Sequence, residues 1–109
     1  MRKIELSNYD VKVPQPDGSF KPLPYNVKES LISCLLHPAL KLTGRELLLR
    51  NKLAMRVEDS DDHILVEEED YLKLRQAFET ITGFAKTDME LVRRIFEAKE
   101  IEVEEKEKQ

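Results

Sequence analysis

The chain has 109 residues, 40% hydrophobic and 37% charged, with three glycines, five prolines and a formal net charge of −4. These proportions suit one folded domain of ordinary size and exclude a disordered chain, a collagen-like repeat and a two-domain enzyme. No apolar run approaches the roughly 18 residues of a membrane span, the polar start Met1-Arg2-Lys3-Ile4-Glu5 is not a signal peptide, and the lone Cys34 makes no intramolecular disulfide, which suits a reducing compartment.

Residues 2–24 read as β structure. Ile4 and Leu6 alternate with charges, and Tyr9, Val11 and Val13 alternate in the opposite phase, so Ser7-Asn8 makes a bulge or turn. Pro14-Gln15-Pro16-Asp17-Gly18-Ser19 is turn chemistry, because proline presets φ and Asp-Gly tolerates positive φ. Phe20-Lys21-Pro22-Leu23-Pro24 returns as a strand whose prolines confine it to an edge. The expected hairpin pairs about 9–13 with 19–23.

Asn26 with Glu29 is a capping-box pair, and the helix it opens runs about 27–37, to His37-Pro38. Val27, Leu31, Ile32, Cys34, Leu35 and Leu36 leave it little polar surface, so it is the expected central helix. Thr43 with Glu46 caps a second helix over 44–57. At about 100° per residue, Arg45, Lys52 and Arg56 share one stripe. Leu47, Leu48, Leu53, Ala54, Met55 and Val57 spread over an arc wider than one core contact needs, so part of it is expected to meet another subunit.

A polar loop over 58–63 leads to the short extended piece Ile64-Leu65-Val66. Glu67-Glu68-Glu69-Asp70 then opens a third helix over 67–82, its carboxylates placed at the positive end of the helix dipole. Tyr71, Leu74, Phe78 and Ile81 form its apolar face, and Gly83 suits its C′ position. Thr87 with Glu90 caps a last helix over 88–100, and Ile101 to Glu104 alternates like a short strand. The fold class is therefore α+β, a small N-terminal β-hairpin packed on a bundle of about four short helices. Residues 1–100 form the domain (hairpin region 1–24, helical part 25–100), and 101–109 is a charged, mobile tail.

Chemistry is sparse. Cys34 and His37 sit three apart, and His63 is the only other histidine, so neither a metal set nor a Cys–His nucleophile is specified. Counted from Asp59 as a calcium loop, position 6 is Ile64 where glycine is needed, and position 12 is Asp70 rather than Glu. No phosphate-binding loop, zinc-protease motif or nucleophile elbow is present, so no enzyme activity and no cofactor are expected. The basic stripe Lys41, Arg45, Lys52 and Arg56 could touch a phosphate backbone, but the acidic helix starts that follow would repel it. Nucleic acid is therefore not expected as a partner, and a nucleic-acid-binding regulator stands as an alternative.

Charge divides along the chain. Residues 1–56 hold 10 Lys/Arg against 5 Asp/Glu, and residues 57–109 hold 8 against 17. The two halves either neutralise each other inside one subunit or attract copies head to tail. In the second case the basic 41–56 surface meets an acidic 58–70 segment, through Glu67, Glu68 and Asp70, of the next copy. Such a contact closes into a ring or runs on as a filament; a ring is the expected assembly, and a two-fold dimer, which sets like charges against each other near its axis, is the fallback.

The order of features is itself familiar. An Asp-Gly hairpin and an apolar helix precede Leu42-Thr43-Gly44-Arg45-Glu46, which opens a helix ending Leu53-Ala54-Met55-Arg56-Val57, and Val66-Glu67-Glu68-Glu69-Asp70 opens the next. This succession resembles small proteins encoded by tailed phages and prophages, over two-thirds of the chain and mainly in capping and turn motifs. The resemblance implies a viral origin, a place in the host-cell cytoplasm or with the virion, and an assembly or host-interaction role. It carries over no catalytic or binding residue. The expected function is a non-enzymatic accessory protein that binds itself and another viral or host protein. A viral inhibitor of a host protein, acting through its acidic half, is a further alternative.

Overall fold

The computed structural model describes residues 1–101, and the fold is α+β, with four helices, two small antiparallel sheets and an N-terminal hairpin. The first strand, β1 (Arg2–Glu5), does not continue into the hairpin. It is the centre of a three-stranded sheet between β4 (His63–Val66) and the two-residue β5 (Lys99–Glu100). Arg2 lies opposite Val66 and Glu100, and Glu5 lies opposite His63. One face of this sheet turns Ile4, Ile64 and Val66 into the core, while Glu5 and His63 stay exposed.

The hairpin is β2 (Tyr9–Pro14) and β3 (Phe20–Tyr25), with Val11 opposite Leu23 and Pro14 opposite Phe20. Pro22 and Pro24 stand two apart, so both missing donors fall on the outer edge of β3 and the ladder toward β2 keeps its bonds. At the base of the hairpin Tyr9 and Tyr25 stack with centroids 4.7 Å apart. Their phenols donate to the Thr87 carbonyl at 2.9 Å and the Asp88 carboxylate at 2.5 Å. Anchored there, most of β3 is solvent-exposed, including Phe20 at 63%.

The opposite phases of Ile4/Leu6 and Tyr9/Val11/Val13 are thus two sheets, not one bulged strand. Residues 6–8 carry the chain between them. Asn8 Oδ1 accepts from the Val27 N–H at 2.9 Å, and Arg94 donates to the Ser7 carbonyl at 2.7 Å and the Glu5 carbonyl at 3.2 Å.

Helix α1 (Val27–Leu35) starts where the Asn26 side chain accepts from the Glu29 N–H. It ends two residues before the expected 37, because Pro38 opens a single 3₁₀ turn, Pro38–Leu40. Helix α2 (Gly44–Asp59) is capped by Thr43 Oγ1 on the Glu46 N–H at 3.2 Å. Helix α3 (Glu68–Thr80) stops short of 82. Ile81 is already extended and is the C-cap, so Gly83, with φ +90°, lies one residue past the C′ position.

Helix α4 (Met89–Phe96) lacks the Thr87 cap that its sequence suggests. Thr87 instead lies in a 3₁₀ turn, Lys86–Asp88, whose Asp88 carboxylate accepts from the Ala85 N–H at 2.8 Å and from Tyr25. The hairpin's anchoring takes precedence over the local cap. The chain after α4 makes a strand two residues earlier than 101–104. Residues 102–104 of that expected strand, and all but the first residue of the expected tail over 101–109, lie outside the described residues.

The core is one cluster drawn from β1, β4 and all four helices, centred on Ile4, Leu31, Leu35, Leu74, Leu91 and Ile95, each fully buried. Helix α1 supplies Val27, Leu31, Cys34 and Leu35 to it, as expected of the central helix. Among the described residues no helix is long and apolar enough to cross a membrane.

Candidate interaction surface

Helix α2 presents three faces. Arg50, Leu53, Ala54 and Val57 form the buried one. Arg45, Lys52 and Arg56 lie together on a second, as their spacing requires. Leu47, Leu48 and Met55, with Asn51 among them, form the third, and these apolar side chains are 45%, 58% and 55% exposed. The broad apolar arc of the sequence is therefore two surfaces, half of it core and half unpartnered among the described residues.

The charged candidates separate as well. Arg56 donates to Asp70 at 3.0 Å and to the Leu65 carbonyl at 3.1 Å, which ties α2 to the start of α3. Asp70 also lies 3.6 Å from Lys73. Glu68 accepts from Arg2 at 3.2 Å, and this contact raises the Arg2 pKa. Glu67 occupies the cap position of α3 without a side-chain cap bond. Lys41 holds a left-handed backbone with φ 51° after the 3₁₀ turn, and its side chain is exposed, as are Arg45 and Lys52. Among the described residues no ion pair involves Lys41, Arg45, Lys52 or Glu67. The structure brings together Arg56 and Asp70 from the predicted set, inside one subunit.

Arg50 is the residue that the sequence reading missed. It is 4% exposed, and its guanidinium donates to Gln76 Oε1 at 2.6 Å and to the Lys73 carbonyl at 3.3 Å. Burial lowers its pKa, and Glu46 one turn earlier acts in the opposite sense. The signal was its spacing: Arg50 stands three residues before Leu53 and seven before Val57, on the core face.

A cleft of about 400 Å³ is lined by Tyr25, Ser30, Ser33, Cys34, His37 and Asp88, among others. Burial pushes the Cys34 thiol up to about 11, so it stays protonated at neutral pH. His37 Nδ1 accepts from the Ala39 N–H at 3.0 Å, which puts the ring proton on Nε2. A protonated thiol beside a ring whose Nδ1 is occupied is poorly arranged for thiolate chemistry. His63 lies elsewhere, beside Asp62 at 2.9 Å. The segment 59–70 ends α2, forms β4 and begins α3, so its carboxylates do not converge on a calcium loop. Among the described residues no group of three or more His, Cys, Asp or Glu side chains could hold a metal ion.

Compared with known proteins, the chain matches no family model, no curated protein and no solved structure.

Proposed function

We propose that this chain is a non-enzymatic accessory protein of the tailed-phage type that acts through protein–protein contacts, the first of them with its own copies. One observation carries the reading: Leu47, Leu48 and Met55 stand half-exposed on one face of α2, while Leu53, Ala54 and Val57 on another complete the core without them. Single exposed apolar residues are ordinary on a protein surface, but Leu47 and Leu48, with Met55 two turns further along the same side of one helix, make a patch that water disfavours. The resemblance in feature order to phage-encoded chains supports an assembly or host-interaction role in the host cell.

Light scattering at micromolar concentration tests this reading. The expected mass exceeds the 12.8 kDa of one chain. Changing Leu47, Leu48 and Met55 together to serine should return the protein to one-chain mass with its circular dichroism unchanged, because none of the three belongs to the core.

A further inference from the structure

We infer that two copies pair through α2, antiparallel, about a two-fold axis at Asn51; this rests on the reading that the exposed face of α2 is a self-association surface. Leu47 and Met55 stand symmetrically about Asn51, four residues before it and four after, with Leu48 flanking the seam. An axis there sets Leu47 against the partner's Met55, Met55 against the partner's Leu47, and the two Asn51 amides against each other. One polar side chain in an apolar seam fixes register, because any shift leaves its amide facing a methyl group.

The charges left over by the fold select the direction. Lys41 just before α2 and Arg45 in its first turn, beside Glu46, leave a basic excess at its N-terminal end, and Glu58 and Asp59 make its C-terminal end acidic. All five side chains are exposed, and none is ion-paired among the described residues. An antiparallel pair brings Arg45 within one turn of the partner's Glu58 at both ends and opposes the two helix dipoles favourably. A parallel pair sets like ends together and repels. In a head-to-tail contact onto 58–70, Arg56 and Asp70 already hold each other and Arg2 holds Glu68, which leaves Glu67 of that acidic set without an ion pair among the described residues. Basic charge near the N-terminal end of α2 and acidic charge at its C-terminal end lie where an antiparallel two-fold partner meets them.

Packed helices lie about 8–10 Å apart with Cα atoms about 2.3 Å from each axis, so facing Cα atoms at the two-fold come within disulfide reach. The test is Asn51→Cys in the full chain, with Cys34 left in place because it is buried. Oxidation should convert most of the variant to a disulfide dimer joined at position 51, identified by mass spectrometry of the peptides. The unmodified chain and Glu79→Cys on the exposed side of α3 should stay uncrosslinked. Arg45→Glu or Glu58→Lys alone should weaken the dimer severalfold by light scattering, and the two together should restore it.

Association with position 51 remaining a free thiol overturns the two-fold pairing and leaves the self-association reading standing. A one-chain mass at about 100 μM overturns both.

Discussion

The Arg50 guanidinium meets neutral acceptors, the Lys73 carbonyl and the Gln76 amide, in a site where its charge is almost fully withdrawn from water. A buried cation is tolerated only while its donors are satisfied. Gln76→Ala should therefore cost about 1–2 kcal/mol, near the range for a hydrogen bond to a charged group. Arg50→Met combined with Gln76→Leu should cost less than the sum of the single changes, since each single change strands a partner. Urea unfolding of the four proteins measures both terms. Glu90 gives a pH counterpart. Hydrogen bonds from Arg93, then Arg94, hold its carboxyl below the ordinary 4.5. A depressed carboxyl pKa adds stability that is fully present above the unfolded value and lost as pH falls through the folded one. Melting temperature should thus fall between about pH 5 and pH 3 more steeply in the wild type than in Glu90→Gln. Equal slopes would show that Glu90 contributes nothing.

Elements with a local cause were legible. The α1 and α2 starts follow from Asn26 and Thr43, which accept from backbone N–H groups three residues on, and the hairpin turn follows from Asp17-Gly18. Elements with a distant cause were not. The pairing of Arg2 with Val66 and Glu100 spans most of the chain, and no period within β1 announces which strands will flank it. The Thr87 cap failed for the same reason, because Tyr9 and Tyr25 claim that turn from the other end of the sequence. At the site, the wide apolar arc of α2 was legible, but its division into core and surface needed the positions of α1 and α3. Helix α1 gives the sharpest prediction at this scale. Leu31 and Leu35 are fully buried, so Leu31→Ala or Leu35→Ala should cost roughly 2–5 kcal/mol. Thermal or chemical melts that show no loss for either would remove α1 from the centre of the core.

The whole molecule neutralises part of its charge division internally. Arg56–Asp70 and Arg2–Glu68 each join the basic half to the acidic half within one subunit. What remains of the basic stripe is Lys41, Arg45 and Lys52, in a chain whose net charge is −4. Phosphate contacts supply most non-specific affinity, so duplex DNA should bind weakly or not at all at about 150 mM salt. A sub-micromolar, steeply salt-dependent complex abolished by Arg45→Glu with Lys52→Glu would instead make the protein a nucleic-acid-binding regulator.

Self-association through the exposed face of α2 is the centre of the account, and sedimentation equilibrium from about 1 to 100 μM measures it directly. Apolar contact survives screening while charge contact does not. The weight-average mass should therefore rise from 12.8 kDa toward twice that value with concentration, and added salt should weaken the rise without abolishing it. A mass fixed at 12.8 kDa across the whole range would contradict the account.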